Sequence, residues 1–258
     1  METFLFEEFI IGPIHSRRLG VSLGINLLPL EAKLCNFNCV YCECGWTDKG
    51  DMIGRKFPES HEVINALIEK IKTLSDEEKM IDSITFAGNG EPTLHPQFLD
   101  IIRDTVLVRD LMLPESKISV LTNATMLHKP DVMKALVMVD KRILKLDAGT
   151  NEMLKKINKP LGNYTLDKIK QQLKRFKGDL SIQTLFFKGE VDGEIVDNTT
   201  AEEINAWKEN IIALNPKEVM LYSLDRNTPA DNLCAISEFE LSNIAAQLKP
   251  YHIKTLVA

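Results

Sequence analysis

Apolar positions along the chain recur in two rhythms that take turns. Short runs rich in β-branched residues predict six strands: VSLGINLL (21–28), SITFAG (83–88), KISVLTN (117–123), RILKLDAG (142–149), LSIQTLFFKG (180–189) and EVMLYSLDR (218–226). Between them the apolar spacing lengthens to three and four. From Ser60 to Leu74, the residues Val63, Ile64, Leu67, Ile68 and Ile71 share one stripe. Similar amphipathic stretches fall near 96–112, 130–138, 165–176 and 200–213, and a last helix over 237–249 precedes the apolar tail IKTLVA. The N-terminal FLFEEFII is a candidate for a strand outside this set.

A strand followed by a helix, several times over, predicts a parallel sheet with right-handed crossovers. An open doubly wound sheet and a partial (β/α) barrel both satisfy this pattern. In either, functional residues gather at the C-terminal ends of the strands. That rule singles out CNFNCVYC (35–42), GNGEP (88–92), TNA (122–124), Asp147, Lys188 and the pair Asp225–Arg226. No repeat, low-complexity segment or flexible linker interrupts the pattern, so one domain over residues 1–258 is the simplest organisation.

Composition narrows the function. With 44% hydrophobic and 26% charged residues, the chain reads as an ordinary globular protein. The acidic start METFLFEEF does not resemble a secretory signal, and no run of about 18 apolar residues predicts a membrane span. A cytoplasmic location without a membrane partner is expected. The net charge of -6 argues against a broad nucleic-acid footprint, so tRNA stays open as a partner without being favoured.

The five cysteines are an odd set: Cys35, Cys39, Cys42 and Cys44 crowd together, and Cys234 stands far away. In a reducing compartment such a cluster points to metal or redox chemistry and not to a disulfide framework. Cys35, Cys39 and Cys42 follow C-x3-C-x2-C in a loop between the first strand and the first long helix. Zinc sites commonly pair two knuckles, or one knuckle with two histidines, yet His15, His61, His95, His128 and His252 are scattered. Three thiolates from one run suit an iron–sulfur cluster that keeps one iron open. A structural zinc loop with Cys44 as fourth ligand, or a set of free thiols, remains an alternative at this level.

The C-x3-C-x2-C spacing, with the aromatic Tyr41 before the last cysteine, resembles the signature of the radical S-adenosylmethionine superfamily. The resemblance implies a partial (β/α)6 TIM-like barrel, in agreement with the strand count. It implies one 4Fe-4S cluster on Cys35, Cys39 and Cys42, with S-adenosylmethionine chelated to the open iron. Reductive cleavage of the sulfonium would give methionine and a 5′-deoxyadenosyl radical that abstracts hydrogen from a substrate. An electron donor such as flavodoxin or ferredoxin is implied as well.

GNGEP is similar to the family's Gly-Gly-Glu-Pro-like motif, with Asn89 in place of the first glycine; Glu91 and the Asn89–Gly90 backbone would receive the methionine amino group. Thr122 and Asn123 resemble the family's Thr-Asn pair. Tyr41 would flank the adenine through its backbone. Lys145 and Asp147, two apart on one strand, share a face. In the family that strand contacts the cofactor's ribose and carboxylate, so Lys145 either pairs with that carboxylate or bridges to Asp147. Gln183 is a weaker candidate of the same kind.

The segments GPIHSRRLGVSLGINLLP (12–29), GNGEPTLHP, LDAGT, INKP (157–160) and LYSLDR (221–226) further resemble the group related to the wyosine-base synthases of tRNA. Those enzymes use pyruvate and a second cluster. No additional cysteine set precedes Cys35, so that reaction is not implied here.

Arg17 and Arg18 read either as a solvated basic turn or as an anion site; with Lys188 and Arg226 they would favour an anionic small-molecule or nucleotide substrate. His95 is expected to cap local structure, and Cys44 and Cys234 to carry no role. Two other functions remain: an activase that installs a glycyl radical on a partner protein, and a non-catalytic zinc- or cluster-bearing binding module.

Overall fold

The structure, a computed structural model, describes residues 4–47, 54, 56–77 and 79–258. Six strands form its parallel core: β2 (Gly20–Ile25), β3 (Ser83–Phe86), β4 (Lys117–Thr122), β5 (Lys141–Lys145), β6 (Ser181–Leu185) and β9 (Glu218–Tyr222). Each pairs with the next in this order, and all five pairings are parallel. The sheet is extended by β1 (Ile10–Ser16), antiparallel to β2, and by β11 (Thr255–Val257), parallel to β9. It curls into a half-barrel, the expected (β/α)6 architecture with one added strand at each edge.

Residue alternation explains why this sheet encloses space. Outward positions are large and apolar: Leu23, Ile25, Ile84, Phe86, Ile118 and Val120 are all fully buried under the helices. Most inward positions on β2, β3 and β4 are small and polar, Ser22, Ser83, Thr85 and Ser119 among them. Ser22 bonds Thr85 at 2.7 Å, and Ser83 bonds Ser119 at 3.2 Å. These hydroxyls satisfy one another while leaving the lumen unfilled.

The helices follow their sequence signals. Helix α1 (Ser60–Asp76) starts on a capping box made by Glu59 and Glu62 and buries Val63, Leu67, Ile71 and Leu74. Helices α2 (Phe98–Met112), α3 (Pro130–Met138), α5 (Leu166–Leu173), α6 (Ala201–Leu214) and α7 (Glu238–Ala246) match the amphipathic stretches. A further short helix, α4 (Asn151–Asn158), was not anticipated; Thr150 caps its start by accepting the Met153 amide. Gly149, just before it, lies where a Cβ would come within 2.5 Å of Glu203 O, so α6 can press against this turn.

Two expectations need correction. The segment 180–189 is not one strand. It breaks at Phe186, because the Asn198 amide accepts the Phe187 amide proton and donates to Leu185 O, which ends the ladder. The chain then enters a separate antiparallel sheet of β7 (Phe187–Val191), β8 (Glu194–Asp197) and β10 (Asn232–Ala235). In FLFEEFII only Ile10 and Ile11 join β1. Residues before them form a strap: Phe4 N donates to Glu43 O, and the Asn89 side chain bonds both Phe6 N and Phe6 O.

Trp207 anchors α6 to the sheet. It is 1% exposed, meets Phe186 edge-to-face and donates to Thr184 Oγ1 at 3.0 Å. Trp207→Ala is expected to cost about 3–5 kcal/mol in urea unfolding, and Trp207→Phe about 1–2 kcal/mol. A Trp207→Ala protein of unchanged stability would contradict this packing.

Candidate active site

The loop after β2 carries the three spaced cysteines, and backbone bonds fix it on both flanks. Ahead of Cys35, Leu34 N donates to Asn89 O and Glu91 N donates to Leu34 O. Beyond it, Asn38 N and Val40 N donate to Asn158 O and Ile157 O, both at 2.9 Å. The INKP segment at the end of α4 is therefore a clamp on the cysteine loop. Gly90 makes the first flank feasible, since a Cβ there would stand 2.0 Å from Leu34 O and its φ is +137°.

Cys35, Cys39 and Cys42 all line one cavity of about 320 Å3. A second hollow of about 380 Å3 shares Tyr41, Cys42, Lys145 and Gln183 in its wall. Together they offer a volume typical of a small-molecule site. The three thiols are free. Among the described residues, no three His, Cys, Asp or Glu side chains converge closely enough for one metal ion. The donor set fits a polynuclear cluster, which spans its ligands.

Each ligand-type sulfur faces a donor. Asn123 Nδ2 points at Cys35 Sγ at 3.7 Å, and Phe37 N at 3.4 Å. Asn158 Nδ2 donates to Cys39 Sγ at 3.3 Å. The neighbouring Cys44, whose thiol donates to Gly88 O at 3.5 Å, and the charge of Lys33 bring the Cys42 thiol down to about 5 against burial. Cys44, which keeps its proton, is pushed far up. Burial raises Cys35 and Cys39.

Lys33 is the main residue that sequence reasoning missed. It is 3% exposed, lines the cavity and donates to Gly45 O at 2.7 Å. Burial alone would lower its pKa; the negative charge of Cys42, Cys35 and Cys39 outweighs that and raises it. Asn36, Asn158 and Tyr164 were missed as well. In the sequence only the local richness in Asn around the cysteines hints at them.

Glu91 is enclosed by protein donors. Its Oε1 accepts from Thr93 N at 3.1 Å, from Thr93 Oγ1 and from Thr122 Oγ1 at 2.6 Å; Oε2 accepts from Asn123 N at 2.7 Å. The network continues from Asn123 to Asn36 Oδ1 at 2.7 Å and from Asn36 to Tyr164 OH. Burial, larger than these bonds, raises the Glu91 pKa. Glu91 is a joint between strand ends, with Oε2 keeping capacity for one further donor at the cavity wall.

The remaining predicted residues divide. Gly90, Glu91, Thr122, Asn123, Tyr41, Lys145 and Gln183 line the cavity. Among the described residues, the Gln183 amide has no protein partner. Asn89 does not line it, because its side chain is consumed by Phe6 and Pro29 O. Asp147 does not line it either. Its Oδ2 takes Tyr41 OH and Asn158 Nδ2, Oδ1 takes Leu185 N, and Lys145 Nζ stands at 3.5 Å. Lys145 also donates to Tyr41 OH at 2.8 Å, so the bridge to Asp147 is the reading the geometry favours. Burial, the largest single effect, would lower the Lys145 pKa, but the charge of Asp147 together with those of Tyr222, Cys39 and Cys42 outweighs it and raises the value. His95 bonds Pro58 O and Gln97 N, a local role as expected.

Three of the four candidate substrate cations, Arg17, Arg18 and Arg226, line the second hollow, and Lys188 does not. Lys188 lies in the small outer sheet, exposed and paired with Glu240 at 2.8 Å, because the break at Phe186 carried it away from the lumen. Arg17 pairs with Asp225 at 3.0 Å and Arg226 with Glu43 at 2.5 Å. Arg18 lies over the Tyr222 ring at 4.6 Å and lines both hollows; among the described residues it has no carboxylate partner. The β1–β2 turn thus reaches the loop after β9.

This half-barrel, with three cysteines on the first loop, is the architecture of radical S-adenosylmethionine enzymes. The Radical SAM superfamily profile matches residues 32–200, and the chain belongs to that family. The family implies an iron–sulfur cluster and S-adenosylmethionine. A UPF0026 protein of Methanocaldococcus jannaschii is 32% identical over 222 residues, covering 84% of this chain; the chain spans 62% of that protein. A radical SAM methyltransferase from Sphaerobacter thermophilus shares the fold, with TM-score 0.66, 14% identity and coverage of 92% of this chain and 65% of that one. Archaeal TYW1 does so with TM-score 0.54, 14% identity and coverage of 89% and 72%. Among the described residues, no helix is long and apolar enough to cross a membrane.

If Glu91 is the joint described, its removal weakens the protein before any cofactor is added. Glu91→Ala strands several buried donors and is expected to lower the stability of the metal-free protein by about 2–4 kcal/mol. Equal thermal stability of metal-free Glu91→Ala and wild type would leave Glu91 as a ligand-binding group only.

Proposed function

We propose that Cys35, Cys39 and Cys42 each ligate one iron of a single 4Fe-4S cluster, and that S-adenosylmethionine occupies the adjoining lumen. The convergence of three donor-flanked cysteines on one unfilled cavity carries this reading. The bound cluster would supply the electron that cleaves the sulfonium into methionine and a 5′-deoxyadenosyl radical. A one-electron donor of the flavodoxin or ferredoxin type supplies the reductant.

The chain's own residues do the positioning. Gly90 and Glu91 offer acceptors to the methionine ammonium, Thr122 and Asn123 hold that segment, and the unpartnered Gln183 amide and Lys145 offer donors to a carboxylate or ribose. Lys145 is oriented for this by Tyr41 and Asp147.

The substrate in this reading is a small anion or nucleotide. Arg18 supports it, since Arg17 and Arg226 already have carboxylates. The net charge of -6 favours such ligands over tRNA.

Anaerobic reconstitution with iron and sulfide tests the reaction. Reduced by dithionite with S-adenosylmethionine, wild type is expected to release 5′-deoxyadenosine, and Cys35→Ala, Cys39→Ala or Cys42→Ala to lose both the visible absorbance and the release. A colourless protein holding stoichiometric zinc would sink the proposal. For the substrate, the anionic fraction of a small-molecule extract should stimulate release in wild type and not in Arg18→Gln, with basal release unchanged. Stimulation by the neutral fraction alone would reject an anionic substrate.

A further inference from the structure

Lys33 poses a physical problem that the cofactor reading alone does not address. Its ammonium is 3% exposed and, among the described residues, forms no ion pair. Its side-chain hydrogen bond runs to Gly45 O, an uncharged acceptor on the far side of the same loop. Burying an unpaired cation is costly, and such groups persist where an anion faces them. The carboxylates of the cavity do not serve. Glu91 is bound by Thr93, Thr122 and Asn123, and Glu43 pairs with Arg226. What Lys33 does face is the cysteine set, since it lines the same cavity as Cys35, Cys39 and Cys42.

We propose that Lys33 is the fixed counter-charge of the cluster site, a positioning residue that makes the cluster easier to reduce. This rests on the cluster reading above. A cubane core of charge two plus held by three thiolates carries one net negative charge, and two after it accepts an electron. A buried ammonium therefore stabilises the reduced form more than the oxidised one. Inside a low-dielectric site this preference is large compared with that of an exposed lysine. Cluster potentials respond to the charge near the sulfurs, and Lys33 supplies a positive one. The bond to Gly45 O tethers the ammonium to the loop, so its charge is present before any ligand arrives.

The geometry also separates Lys33 from Lys145, the other lysine of the lumen. Lys145 is neutralised by Asp147 and stands on β5. Lys33 sits two residues before the first ligand, on the loop itself.

The test is a potentiometric titration followed by the electron paramagnetic resonance of the reduced cluster, with no turnover involved. At the wild-type midpoint, Lys33→Met is expected to show a reduced-to-oxidised ratio at least tenfold lower, which is about 59 mV for a one-electron couple. Lys33→Arg, which keeps the charge, should stay within about threefold of wild type. Iron content of all three proteins is measured in parallel. If Lys33→Met holds no iron, Lys33→Gln takes its place in the titration. Uncharged variants that fail to assemble a cluster where Lys33→Arg succeeds support the counter-charge in its stronger form. A wild-type ratio in Lys33→Met overturns the proposal, as do equal shifts in Lys33→Met and Lys33→Arg. Loss of iron in Lys33→Arg with an intact circular dichroism spectrum also overturns it, since it would mark a structural strut. If Lys33→Met weakens S-adenosylmethionine binding with no change in the ratio, the cation serves the cofactor's carboxylate instead. A wild type that holds no cluster rejects the cluster reading itself, and is seen before any variant is made.

Discussion

The site depends on one buried carboxylate. Glu91 draws three hydroxyl or amide donors onto Oε1 and a fourth onto Oε2, from the turn after β3 and the end of β4. Asn123, one of those donors' residues, passes the restraint to Asn36 and to Cys35. Without this joint the ends of two strands and the first cysteine would have no common reference. Its cost is the burial of a charge, and the number of donors is what makes that burial tolerable.

A second network mirrors the first across the lumen. Asp147 gathers Tyr41, Asn158 and the Leu185 amide, and Asn158 in turn reaches Cys39. Cys35 and Cys39 are therefore each tied, through one asparagine, to one buried carboxylate. Cys42 lacks such a partner and has Lys33 and Cys44 in its place. The loop is thus held by polar groups on every side, and at Cys42 these favour thiolate over thiol, whereas burial favours the thiol at Cys35 and Cys39.

Much of this was legible in the sequence. The six parallel strands could be read because their outward residues are β-branched and regularly spaced, and the cysteine loop because its spacing needs no tertiary information. Lys33 could not, since it lies in an irregular segment where no period reveals burial. Asp147 was read as facing the cofactor because a polar residue at a strand end looks the same whether it faces a ligand or a neighbouring loop. Lys188 was misplaced because LSIQTLFFKG has an unbroken apolar pattern; only the Asn198 side chain, distant in that pattern, ends the strand at Phe186. The β1–β2 turn was noticed for its arginines, but its contact with the loop after β9 is a long-range event that spacing does not encode.

The central claim is that three cysteines, and no fourth protein ligand, hold a cluster whose open iron meets S-adenosylmethionine. Mössbauer spectroscopy of protein reconstituted with iron-57 addresses it directly. On addition of S-adenosylmethionine, about a quarter of the iron signal, one site of the four, is expected to change its isomer shift while the rest stays constant. A spectrum indifferent to S-adenosylmethionine, or one in which Cys44→Ala alters the same iron site, would contradict the account.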